Sequence, residues 1–183
     1  MSRHQIIIGL ATLSMSTLIP GLSTARSGTE RAPATVTEHV RPSSQEGRDL
    51  LADGISHSPT LARLVAELEH TDLLVRIELS AFLPTAGDLR LVGGTSMFRY
   101  VQIRLKIPNS RVEMMASLGH ELQHALELAS ESSVRDDAGM RRLYEHIGRD
   151  DWTGGRFETR AASEIGWRVR DELMEHRTTL TTR

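Results

Sequence analysis

Two histidines one helical turn apart, with a glutamate beside the first, could bind a metal ion and activate a water. They stand as His120-Glu121-Leu122-Gln123-His124, an H-E-x-x-H pattern. On a helix, residues i and i+4 share a face, so both imidazoles can reach one ion. Zinc accepts neutral imidazole nitrogens, and a catalytic site leaves one position for water, whose pKa the ion lowers toward neutrality. A carboxylate beside that water can take its proton, which gives Glu121 the role of general base. The plainer alternative is a solvated helix face, because Glu113, Ser117, Glu127 and Glu131 lie on the same side.

A third ligand decides between these readings. The extended pattern H-E-x-x-H-x-x-G-x-x-H fails, with Glu127 at the glycine position and Ser130 at the third histidine position. Glu127 lies one turn from His124 on the same face and could ligate, but a supporting or solvated role suits it better. Glu158 suits a ligand: Ala161, Ala162, Ile165, Val169 and Leu173 form an apolar stripe on the last expected helix, with Glu158 at its centre. A carboxylate there is costly unless paired or bound to metal. Its alternative role is that of a first-turn acid favoured by the helix dipole. Glu67-x-x-His70 and Glu121-x-x-His124 also match half-motifs of di-iron bundles, but a strand-like region separates them.

The elements that must position these residues follow from periodicity. Ser58-Pro59 opens a helix as N-cap and first helical residue, and Leu61, Leu64, Val65 and Leu68 form its stripe. Leu73, Val75, Ile77 and Leu79 alternate as a strand. Leu89–Val92 suits a second strand, 93–96 a turn, and Met97, Val101, Ile103, Leu105 and Ile107 one face of a third. Ser110 and Glu113 form a capping box opening the helix that carries the motif, which runs to about Ser130. At about 100° per residue its apolar residues share one arc of about 120° and the two histidines turn the other way. Helices are expected over 135–147 and 157–176, joined by a loop over 150–156. Helix, antiparallel strands, then helices indicate an α+β fold.

Composition limits the alternatives. With 22 Lys+Arg against 24 Asp+Glu, net charge is −2, far from the basic balance of a nucleic-acid binder. There is no cysteine, which excludes thiolate metal sites and cysteine nucleophiles. Residues 1–25 read as a signal peptide: Arg3 and His4, an uncharged run of apolar or small residues from Ile6 to Leu22, then small residues before a cut after Ala25; an uncleaved membrane anchor is the alternative, for which Pro20-Gly21 leaves the apolar run short. The signal peptide implies an exported protein, periplasmic or extracellular, with no membrane span after signal removal. Residues 26–46, rich in Ser, Thr, Pro and charge, read as a flexible linker, leaving 47–178 as the folded domain.

The motif, followed by Glu158-Thr159-Arg160-Ala161-Ala162, resembles the gluzincin clan of zinc metallopeptidases and is most similar to its compact, minigluzincin-like members. That resemblance implies a zincin-like fold, with a small antiparallel sheet ahead of the active-site helix. It implies one Zn2+ held by His120, His124 and Glu158, with Glu121 as general base, acting on a peptide or protein substrate. An extended substrate would add to a sheet edge, for which the segment Met97–Leu105 is the candidate. The chain departs from the clan's pattern one turn after Glu158, where Ala162 replaces an acid that would steady a histidine. Tyr144, His146 and Arg156 are the candidate oxyanion partners. A non-catalytic, zinc-stabilised binding module on the same fold is the alternative, and a metal-free envelope protein a third.

Overall fold

A computed structural model describes residues 37–148 and 158–181, with side chains through 178. The signal-peptide segment, most of the linker segment and Arg156 lie outside the described residues. Among those described, four strands and five helices follow in the order β1 (Val40–Pro42), α1 (Gln45–His57), α2 (Pro59–Leu68), β2 (Leu73–Ser80), β3 (Gly87–Gly94), β4 (Arg99–Lys106), α3 (Arg111–Ser130), α4 (Asp137–Ile147) and α5 (Arg160–Thr181). This is an α+β arrangement.

The sheet is mixed rather than antiparallel, with strand order β1-β2-β4-β3. β1 and β4 run parallel to β2, and only β3 pairs antiparallel, with β4. Alternation identifies the strands but is the same for either pairing direction, so it leaves their order open. β4 is therefore interior and β3 an edge, which removes 97–105 as the candidate edge. Met97 falls outside β4, in the turn from β3, and is 72% exposed. The end of the expected linker enters the fold, because Val40 pairs with Val75 and is fully buried.

Alternate residues of each strand enter one core. Val40, Val75, Ile77, Val101, Ile103 and Leu105 pack with Leu50, Leu61, Leu118 and Leu122 from the helices. The helices thus cover one face of the sheet. Ser58 closes α1 and caps α2, accepting the Leu61 N–H at 3.1 Å. The Glu172 carboxylate accepts from the Ser58 and Thr60 hydroxyls, which ties α5 to the N-terminus of α2. Ser110 caps α3 by accepting the Glu113 N–H, but the Glu113 side chain pairs with Arg170 of α5 instead of closing the box.

α3 is buried almost all round, contrary to a helix with one wet side: Val112, Ala116, Gly119, Glu121 and His124 are all buried. It lies between the sheet and α5. A Cβ on Gly119 would meet Val169 at 2.8 Å, and one on Gly166 would meet the His120 Cβ at 3.5 Å. These missing side chains, with fully buried Ala162, set the close α3–α5 approach. Ala161 is exposed. Arg99 anchors the other end of α3. Fully buried, it forms a bidentate pair with Asp72 and donates to the carbonyls of Leu128, Glu131 and Val134 where α3 ends.

Candidate metal centre and cleft

His120 and His124 project from the middle of α3, where the capped, buried helix fixes their backbone. Their Nε2 atoms lie 3.1 Å apart. Glu158 meets them from just before α5, its Oε2 3.4 Å from the His120 Nε2. One ligand atom from each of the three lies within 4.8 Å of the others. Glu158 does not lie on the apolar stripe of α5. It precedes the helix, its side chain is 51% exposed, and Thr159 caps the helix by accepting the Ala162 N–H at 3.1 Å. Its place near the histidines comes from the chain entering α5, not from helical phase.

This donor set fits zinc. Two imidazoles and one carboxylate form a three-protein-ligand set of the catalytic kind, and ligand nitrogens about 2.0–2.1 Å from a tetrahedral ion stand about 3.3 Å apart. Glu127 supports the set. Its Oε2 meets the His124 Nδ1 at 2.8 Å, and its Oε1 accepts from the Thr159 hydroxyl at 2.6 Å. With Nδ1 engaged, Nε2 is the atom left to face His120 and Glu158. Glu127 thus does what an acid in place of Ala162 could have done. Its one-turn spacing from His124 was the available signal.

Glu121 is 7% exposed and faces the start of β3. A Cβ at Gly87 would lie 2.9 Å from the Glu121 Oε1 and 3.2 Å from its Cγ, so a larger residue there makes the carboxylate shift. Burial pushes the Glu121 carboxyl up to about 7, against the pull of His124 and with help from Glu158 and Asp88. Burial, followed by the charge of His124, pushes His120 down to about 4. At His124 burial acts in the same downward direction, but the Glu127 hydrogen bond and the surrounding carboxylates outweigh it and raise its pKa. The Glu127 and Glu158 carboxylates thus stand against the two imidazoles, an arrangement that suits a cation.

These groups open into a cleft of about 720 Å³. Pro84–Leu89 forms one lip, Ser163, Gly166, Trp167 and Arg170 of α5 the other, and Ala116, Ser117, His120 and Glu121 the floor. Tyr144 packs edge-on against the His124 ring and donates its hydroxyl to the His124 carbonyl at 3.0 Å. Burial holds its pKa far above the ordinary tyrosine value. Tyr144 therefore braces the motif helix, while His146 is exposed on α4 and lines a separate depression near Glu127 and Arg142. Compared with family models, curated proteins and solved structures, the chain matches none of them.

Proposed function

We propose that the chain is an exported zinc-dependent metallopeptidase of zincin-like fold, similar to gluzincins. The observation that carries this reading is the convergence of His120, His124 and Glu158 on the floor of a cleft, with the buried Glu121 carboxylate beside them. His120, His124 and Glu158 would hold one zinc ion. When bound, zinc supplies Lewis acidity, lowering a water's pKa toward neutrality and polarising a carbonyl.

The remaining work falls to the chain's own residues. Glu121 takes the proton from the water that attacks the peptide carbonyl and passes it to the leaving amine. Its carboxyl is buried on the cleft floor beside the two histidines, where a proton acceptor for that water has to stand. Among the described residues β3 pairs only with β4, and its other edge runs along the cleft lip. An extended peptide can add there through backbone hydrogen bonds. The support is therefore for 87–94 as the substrate edge, in place of 97–105.

The test is Glu121→Gln, which keeps volume and removes the proton acceptor. Its zinc content should equal that of the unsubstituted protein, while cleavage of a peptide library falls at least about 100-fold. Cleavage at an unchanged rate contradicts the mechanism. Bound zinc with no cleavage by the unsubstituted protein transfers the site to the zinc-stabilised binding module.

A further inference from the structure

The sheet face turned away from the helices has no described element packed on it, and its charge is lopsided. By alternation it carries Arg41, Arg76, Arg90, Arg104 and Lys106. The acids on it, Glu78 and Asp88, are engaged within the face: Asp88 with Arg104 and Arg90, Glu78 with Gln102. Arg41 and Arg76 are direct cross-strand neighbours in the β1–β2 register, and both are exposed. Like charges placed directly opposite on a sheet cost stability. Arg76 has no acidic partner among the described residues, and Arg41 donates to the Glu38 carbonyl rather than to a carboxylate. The pair thus reads as a surface kept for an external anion. All the cations but Lys106 are arginines, whose planar forks suit phosphate oxygens.

Apolar side chains sit within and around this face. Val92 at the β3 bulge is 59% exposed, and its neighbour Tyr100 is 38% exposed. Phe82, beyond the end of β2, is 94% exposed, and Met97, in the turn at the opposite end of the sheet, is 72% exposed. Cations on the face, with exposed hydrophobes beyond both ends of the sheet, match the interface of a bilayer, where phosphates meet acyl chains. They suit a nucleic acid less well, since Phe82 and Met97 lie at opposite ends and not in one stacking row.

We propose that this sheet face docks on an anionic phospholipid surface. The proposal is independent of the metal centre, whose residues lie on the other side of the sheet. It is tested with the full chain and vesicles of phosphatidylcholine with or without about one-third phosphatidylglycerol, followed by co-sedimentation. Near an anionic surface each basic residue contributes about 1 kcal/mol, or about fivefold in partitioning. Arg76→Glu should therefore lower partitioning onto the anionic vesicles at least about fivefold. It should also raise the melting temperature, because it turns a repulsive Arg41–Arg76 neighbour pair into an attractive one. Phe82→Ser should weaken binding with zinc content unchanged. Every variant keeps residues 1–36, so differences between chains report the sheet face alone. The proposal is overturned if Arg76→Glu and Phe82→Ser sediment like the unsubstituted chain, if anionic lipid adds nothing over phosphatidylcholine alone, or if a DNA oligonucleotide displaces the protein from the vesicles.

Discussion

At the scale of single residues, the histidine pair was legible because it is local: two imidazoles at i and i+4 need only one helix. Glu158 was legible as a residue but not for the reason that singled it out. Helical phase put it on an apolar stripe, whereas it precedes the helix and is half exposed. A one-turn spacing from His124 is compatible with a ligand, a supporting or a solvated role for Glu127, so spacing alone does not choose among them. The contacts of Glu127 to His124 and Thr159 give it the supporting one. Glu127→Ala should weaken zinc binding about 10- to 100-fold, measured by competition with a chromophoric chelator. Gly87 gave no signal, because its contact with Glu121 joins two elements distant in sequence. Gly87→Ala pushes on the Glu121 carboxylate. It should leave zinc content intact and slow cleavage by about 10- to 100-fold, as misplacement of a reacting group by about 1 Å does. An unchanged rate would mean that Glu121 has room to shift.

At the scale of elements, periodicity located β2, β4, α2 and α3 closely, since each shows its pattern within its own residues, but only the middle of β3, whose glycine ends at 87 and 93–94 read as turns. α1 was missed because Gly47 and Gly54 interrupt its apolar pattern, and its cap, Ser44, lay within a segment read as linker. The sheet's pairing was misread because direction is set by long-range packing. β1 enters parallel to β2 after a helical crossover, a connection that no local pattern announces. The series Met97, Val101, Ile103, Leu105 and Ile107 stepped over Arg99, which shares their parity. A charge at a core-facing position was itself the clue: Arg99 enters the core to hold Asp72 and the last carbonyls of α3. Arg99→Met leaves those groups without a donor and should cost about 3–5 kcal/mol in chemical denaturation. Arg99 also holds the Asp72 carboxyl below its ordinary value of 3.8. A group whose folded pKa is depressed contributes stability that is fully present above its unfolded value and is lost as pH falls through the folded one. Stability should therefore decline below about pH 4, and Asp72→Asn should flatten that part of the profile.

At the scale of the whole molecule, the coarse α+β class was legible from the order of helix, strands and helices. The depth of α3 was not. A helix with histidines on one side reads as half wet, yet α5 and β3 close over that side with the cleft between them. The consequence is a site formed by elements far apart in the chain, so a metal held there binds the folded state and not the unfolded one. Zinc at about 1,000 times its dissociation constant should then stabilise the protein by about 4 kcal/mol, visible as a lower melting temperature after chelation. Because β3, α3 and the entry to α5 all contribute to the site, the central claim rests on one ion bridging α3 and the start of α5. Elemental analysis of the purified full chain beside Glu158→Ala tests this most directly. About one zinc per chain is expected, lost or much weakened in the variant. No zinc in the unsubstituted chain, or zinc retained with equal affinity by Glu158→Ala, would contradict that claim.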